Sequence, residues 1–124
     1  MARAAVTVTT LTAGTGVAES AGTTADPTND HYIAASALTF PLEELLLVFK
    51  NTNGTDRVAT IVAGDNPPAD MAGQGNLAIT VPATTGVMCV TGLESARYLQ
   101  NDGTLNIDLA TSFAGTVHAY RLAR

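Results

Sequence analysis

Hydrophobic and polar residues alternate along much of the chain with a period of two, which is the pattern of β-strands that bury one face. In residues 5–9 threonines separate the apolar positions, and in residues 105–109 the alternation predicts that Leu105, Ile107 and Leu109 face inward. Further strands are predicted at residues 31–36, 45–50, 57–63, 76–81, 87–90 and 117–122. With turn signals about every ten residues, the pattern predicts an all-β fold: an antiparallel β-sandwich or small barrel of seven or eight short strands.

The run at residues 45–49 is apolar at every position, which predicts a strand covered on both faces. A helix is the rival interpretation, but the run is short and Asn53-Gly54 follows it, a pair that favours a tight type I′ turn. We therefore predict a hairpin in which residues 57–63 return beside this strand. The cover is either the rest of the sandwich or another protein.

Two segments interrupt the alternation. Residues 12–29 are polar and rich in Gly, Ala, Thr and Ser, so we predict an extended arm or long loop that lies over another surface. The predicted organisation is one domain, with an N-terminal strand and arm in residues 1–30 and a β-sandwich in residues 31–124. Residues 64–75 contain two prolines and three glycines, and loops of this length usually carry a function.

Composition narrows the classes of function. Charged residues make up 14% of the 124 positions, and the net charge is −5. The six basic residues are scattered, which excludes the basic patch that nucleic acid requires. No apolar run approaches the length of a membrane span, and no apolar segment of the secretory type follows the N-terminus. Low charge together with many small side chains suggests a surface partly covered by other protein.

The residue types that perform catalysis or bind metals do not cluster in the sequence. His31 and His118 fall on separate predicted elements, and no Gly-x-Ser-x-Gly motif is present. Cys89 lies in an apolar strand and is predicted to be a small core residue. Glu43 and Glu44 are adjacent in an extended segment, so they are predicted to point to opposite faces. We predict no enzyme activity, no catalytic, cofactor-binding or metal-binding residues, and no cofactor.

The arm and the long loop are the segments predicted to contact other protein chains. Extended arms can add strands to the edge of a neighbouring sheet and gain main-chain hydrogen bonds. The oxygen-bearing side chains of the long loop lack the spacing of a calcium loop, and a solvated loop is the favoured interpretation. The candidate contact residues are Val6, Val8, Leu11, Asn66, Pro67, Pro68, Asp70 and Met71.

The order of these segments resembles a family of small β-sandwich proteins from the head gene clusters of tailed bacteriophages. The resemblance is carried by residues 6–8 (Val-Thr-Val), 40–48 (Phe-Pro-Leu-Glu-Glu-Leu-Leu-Leu-Val), 51–52 (Asn-Thr), 58–61 (Val-Ala-Thr-Ile), 105–108 (Leu-Asn-Ile-Asp) and 119–122 (Ala-Tyr-Arg-Leu). Members of this family are capsid decoration proteins, also called cement proteins. They have a jelly-roll-like fold, sit on the outside of the head lattice, commonly as trimers, and reinforce it.

The resemblance implies a structural virion protein on the capsid exterior, made in the cytoplasm of the bacterial host. Its partners would be the major capsid protein and, in a homotrimer, two further copies of itself. The candidate contact residues would then touch the capsid or a neighbouring subunit, and removal of residues 1–12 is expected to leave a folded sandwich that binds shells poorly.

Two other functions stay open at this stage. One is a different virion component, such as a connector, tail or fibre protein. The other is a carbohydrate- or ligand-binding β-sandwich module, in which Tyr32, Tyr98 and Tyr120 are the available aromatic platforms.

Overall fold

A computed structural model describes residues 2–65 and 75–122 of the chain. The predicted all-β sandwich is confirmed: two five-stranded sheets pack against each other around one hydrophobic core. The strands are β1 (Ala4–Ala5), β2 (Val8–Thr10), β3 (Thr23–Thr24), β4 (His31–Ile33), β5 (Leu45–Asn51), β6 (Arg57–Ile61), β7 (Leu77–Val81), β8 (Gly86–Val90), β9 (Leu105–Leu109) and β10 (Gly115–Arg121). Two 3₁₀ turns, Ala35–Ala37 and Leu42–Glu44, and one short helix, α1 (Ser95–Tyr98), complete the described secondary structure.

The first sheet has the strand order β1-β4-β9-β6-β7, and the second has the order β2-β10-β5-β8, with β3 also paired to β10. Ten described strands exceed the predicted seven or eight, because the N-terminal region contributes three very short ones. β1 pairs with β4 and β2 pairs with β10 in the parallel direction, whereas the other described pairs are antiparallel. A hairpin imposes the antiparallel direction only on strands that it connects, and β1 and β2 pair with strands distant in sequence.

Alternate residues of both sheets build the core, as the period of two predicts. Leu105 and Ile107 are fully buried and Leu109 is nearly so, which confirms their predicted inward orientation. On β5 the buried residues alternate with partly buried ones, so only one face of this strand belongs to the core. The fully enclosed apolar side chains are Ile33, Leu45, Leu47, Phe49, Ala59, Ile61, Val81, Leu105, Ile107, Val117 and Ala119.

The predicted hairpin between β5 and β6 is wrong. β5 pairs with β10 and β8 in the second sheet, whereas β6 pairs with β7 and β9 in the first. The segment around Asn53-Gly54 therefore carries the chain from one sheet to the other. Neither residue has the positive φ that a type I′ turn requires.

The buried side chain of Asn51 holds this crossing in place. Its Nδ2 donates to the carbonyl oxygens of Thr55 at 3.0 Å and of Val81 and Pro82 at 3.2 Å each. Its Oδ1 accepts a hydrogen bond from the backbone N–H of Asn53 at 2.9 Å. These bonds give the polar atoms of the buried amide the partners that they need. The bonds to Val81 and Pro82 also link the crossing to the β7–β8 turn.

The N-terminal segment crosses between the sheets as well. β1 lies at the edge of the first sheet and β2 at the edge of the second, while Val6 between them is only 3% exposed and belongs to the core. Arg3 fastens the start of this segment, since its Nη1 donates to Asp108 Oδ1 at 2.6 Å and to the carbonyl oxygens of His31 and Ile107. The segment of residues 4–10 therefore joins the two sheets, with residues 4 and 5 in the first sheet and residues 8–10 in the second.

Candidate interaction surfaces

Part of the polar arm, residues 12–29, lies against the second sheet of its own chain. The backbone N–H of Leu11 donates to the carbonyl of Arg121 at 2.9 Å, and β3 pairs with the first residues of β10. Because Val117 and Ala119 point into the core, the alternation of β10 directs His118 and Tyr120 to the outer face. These two side chains are nevertheless buried, at 2% and 8% exposure, because the arm covers them.

The contact between the arm and His118 is close and specific. Ser20 Oγ lies 2.8 Å from His118 Nδ1, and Thr116 Oγ1 lies 2.8 Å from Nε2. The backbone N–H of Ser20 also donates to the Tyr120 hydroxyl at 3.2 Å. Gly22 adopts a φ of +78°, and a Cβ at this position would lie 2.6 Å from the imidazole ring. Only glycine therefore lets the arm pass over the ring in this conformation.

Burial lowers the pKa of His118 from its usual value, and the nearby Lys50 ammonium lowers it further, while Glu19 acts in the opposite direction. The ring is therefore neutral at pH 7, with one nitrogen as donor and the other as acceptor for the two hydroxyl groups. Glu19 forms an ion pair with Lys50 beside this site, and the hydrogen bond and charge of Lys50 lower the pKa of Glu19. A catalytic triad places a carboxylate on the second imidazole nitrogen, whereas here a threonine hydroxyl occupies that place.

The outer face of the first sheet has no comparable cover among the described residues. Short, uncharged side chains from β6 and β7 form its centre: Val58 and Thr60 are half-buried, and Ala78 and Thr80 are exposed. The charged groups at the β9 side of this face, Arg3 and Asp108, neutralise each other. The centre of this face is therefore uncharged.

A cavity of about 550 Å³ lies at the β4–β9 end of this face. Tyr32 and Asn106, which are directly opposite each other in the β4–β9 register, line it. Arg3, Asp65 and Asp102 add charged groups to its wall. The cavity therefore combines one aromatic ring with several hydrogen-bonding groups.

The outermost strands on the far side of the sandwich are β7 in the first sheet and β8 in the second. Each has five residues, and neither contains a charged residue or a proline. Val87 on β8 is 49% exposed.

Cys89 on the same strand is also exposed, so the prediction of a core cysteine is wrong. Met88 and Val90 pack toward the core instead, and the alternation turns Cys89 outward.

The predicted contact residues fall in three places. Val6 is buried in the core, so its side chain faces its own chain and not a partner. Val8 is partly buried against the same core. Leu11 is half-buried and borders a shallow pocket on the outer face of the second sheet, with Leu46 and Tyr120. The remaining candidates lie outside the described residues: Asn66, Pro67, Pro68, Asp70 and Met71.

The residue types considered for catalysis have separate structural partners. His31 is buried, and its Nε2 accepts a hydrogen bond from the backbone N–H of Asp26 at 3.0 Å. Glu43 accepts a hydrogen bond from the Ser95 hydroxyl at 2.9 Å, whereas the neighbouring Glu44 lies 3.8 Å from Arg121. In residues 2–65 and 75–122, no group of three or more His, Cys, Asp or Glu side chains is arranged to hold a metal ion. No helix within these two ranges has the length and apolar character of a membrane span.

Sequence reasoning did not single out the contact between the arm and His118. One signal was available, because His118 and Tyr120 alternate with Val117 and Ala119, which places the two polar aromatic residues on one outer face. The partner Ser20 carried no signal, since it lies in a polar segment without periodicity.

Comparisons with family models, with curated proteins and with solved structures each find no match to this chain. The structure establishes the fold, a two-sheet β-sandwich.

Proposed function

We propose that this chain is a structural protein of a tailed-bacteriophage virion that binds the outside of the capsid shell and reinforces it. The resemblance in segment order supports a phage shell, built of the major capsid protein, as the partner. The structural observation that supports a binding role is the uncharged centre of the first sheet's outer face, which none of the described residues covers as the arm covers the second sheet. The corresponding face of the second sheet is partly covered by the chain's own arm.

The side chains at the centre of the first sheet's outer face are suited to being covered by another protein. Thr60, Ala78 and Thr80 are short, so they lose little conformational entropy when a partner immobilises them. They carry no charge, and the centres of protein interfaces are depleted of charged residues. A partner that covers this face therefore pays a small desolvation cost.

Binding at many equivalent positions supplies the strength that one small face lacks. Several linked copies would present such faces to the lattice at once, and linked contacts bind far more tightly than single ones. Reinforcement of a shell in this way uses no catalysis, cofactor, nucleic acid or membrane. The protein would act on the exterior of the virion after synthesis in the bacterial cytoplasm.

The proposal is tested by co-sedimentation with purified capsid shells that lack this protein. We expect the wild-type chain to bind to saturation, and a Thr60→Lys, Thr80→Lys double variant to bind at least roughly tenfold more weakly, because it must bury two charges. Thr15→Lys, on the exposed arm, is the matched control and should bind as the wild type does. No binding by the wild-type chain contradicts the proposed function, and normal binding by a folded double variant contradicts the assignment of this face.

A second candidate function, the binding of a glycan, is favoured by the cavity beside Tyr32. Tyr98 and Tyr120 are buried, so Tyr32 is the one tyrosine positioned to stack on a sugar ring. Asn106 and Asp102 in the same cavity offer hydrogen bonds to hydroxyl groups. Selective binding on a glycan array that Tyr32→Ala abolishes supports this function, whereas shell binding that is unchanged in Tyr32→Ala supports decoration.

A further inference from the structure

Strand β8 has an open edge. It pairs with β5 along one side, and none of the described residues pairs with its other side. Alternate N–H and C=O groups of such an edge point outward without a strand partner, and they form a template for a further strand. The edge is uncharged over a longer stretch than the strand itself, since residues 85–93 contain neither a charged residue nor a proline.

Proteins usually protect their sheet edges by making the edge strands very short or by placing charges and prolines on them. The opposite side of this sandwich follows the first rule, because β1 and β3 have two residues each and β2 has three. β8 follows neither rule, since it presents five uncharged residues in a continuous strand. Its exposed side chains are apolar or nearly so, with Val87 half exposed.

We propose that β8 pairs with β8 of a second copy of this chain, in the antiparallel direction across a two-fold axis. The pairing with complete overlap places Met88 opposite Met88 and Val87 opposite Cys89 of the other copy. It joins the two second sheets into one continuous sheet and supplies partners for the outward backbone groups of both edges.

The charge pattern favours a second copy over a different chain as the occupant. A two-fold axis brings identical residues together, so any charge on the edge would meet its own copy. The edge carries none. The nearest charge on the outer face is Lys50, which is opposite Val87 in the β5–β8 register and already forms an ion pair with Glu19. Self-pairing therefore covers the exposed side chain of Val87 and of Cys89 without burying an unpaired charge.

The first test is the mass of the protein in solution, measured by analytical ultracentrifugation over a wide range of concentrations. We expect the wild-type chain to shift with concentration from its chain mass of 12.7 kDa to twice that value. Cys89→Lys places a charge on the edge and should remain at the lower mass. Val17→Lys, at the other exposed valine, is the matched control and should associate as the wild type does. Thermal unfolding checks that both variants fold.

The second test fixes the register by disulfide formation. Directly opposite residues of an antiparallel pair have Cβ atoms about 4.5–5.5 Å apart, whereas diagonal residues are about 7–8 Å apart. Cys89 of the two copies is diagonal, so the wild-type chain should not cross-link under mild oxidation. Val87→Cys places a cysteine opposite Cys89 and should yield a covalent dimer. Val17→Cys, which also has two cysteines, controls for random collision and should yield none.

Three results would overturn the inference: a wild-type chain that stays monomeric at the highest concentration, a Cys89→Lys variant that associates normally, or equal cross-linking of the Val87→Cys and Val17→Cys variants. The pairing needs no shell, so its failure leaves the proposed capsid binding untouched. A failure of shell binding likewise leaves the two-fold pairing standing.

Discussion

On one side of the sandwich, the chain's own N-terminal region occupies the edges of both sheets; on the other side, β7 and β8 form the edges and no described residue lies beyond them. The N-terminal side is tied down by Val6 in the core, by Arg3 on the first sheet and by Ser20 on the second. Within the described residues, the β8 edge is fixed only along its inner side, to β5. The difference indicates that the first side serves the stability of the monomer and the second is available for association.

The largest expected effect is on the N-terminal side. Removal of residues 1–12 deletes β1, β2 and the core side chain of Val6, so we now expect it to cost at least about 4 kcal/mol, much of the stability of a small domain. This revises the expectation from sequence that the shortened chain stays folded. Thermal and urea unfolding measure the loss. Cys89→Lys, on the open edge, should change stability by less than about 0.5 kcal/mol, and equal losses in both would erase the contrast between the two sides.

A smaller effect is expected where the arm crosses His118. Gly22 and Gly14 both have a positive φ, +78° and +70°, but only Gly22 has a neighbour within reach of a Cβ. Gly14→Ala should cost about 1 kcal/mol through backbone strain alone. Gly22→Ala adds the clash with the ring, so its cost should reach about 3 kcal/mol. Urea unfolding compares the two, and equal costs would show that the arm does not press on His118.

The smallest expected effect is a dependence on pH. Burial lowers the pKa of His118 in the folded chain, while in the unfolded chain a histidine titrates near its usual value of about 6.5. As the pH falls below about 6.5, the unfolded chain therefore binds more protons than the folded chain does. The free energy of unfolding is unaffected by this group above about pH 7 and declines as the pH falls through about 6.5. The unfolding temperature measured from pH 8 to pH 5 should show this decline.

The matched control for the pH experiment is His118→Asn, which keeps one donor and one acceptor but does not titrate. The decline near pH 6.5 should become shallower in this variant; an unchanged profile would remove His118 as its source. The carboxyl groups of Glu19, Asp26, Glu43 and Asp102 have lowered pKa values. The contribution of these carboxyl groups to stability is lost only at more acidic pH, so the effect of His118 and the effect of the carboxyl groups separate along the pH profile.

The strands could be predicted because burial of one face leaves a local trace in the sequence. Residues 105–109 show this directly, since their alternation agrees with the burial of Leu105, Ile107 and Leu109. The same reasoning failed for Cys89, because the neighbouring residues of β8 are all apolar and do not reveal which face is inside. Where both faces are apolar, the period of two loses its information.

The pairing of strands could not be predicted in the same way. Asn53-Gly54 between two apolar runs satisfies the rules for a hairpin, yet β5 and β6 belong to different sheets. The crossing depends on Asn51, whose amide bonds reach Val81 and Pro82, about thirty residues away in sequence. The contact candidates show the same limit, since nothing local distinguishes Val6, which is buried between the sheets, from Val8, which is not fully buried.

The sequence by itself determined that this chain is a weakly charged all-β protein with a polar interruption at residues 12–29, because composition and alternation are properties of neighbouring residues. Only the tertiary structure decided that the arm covers part of the second sheet and that, among residues 2–65 and 75–122, nothing covers the first sheet in this way or pairs with the outer edge of β8. These outcomes depend on hydrogen bonds between residues far apart in the chain, such as Ser20 with His118 and Arg3 with Asp108. Long-range partners are selected by the packing of the whole sandwich, and no short segment specifies them.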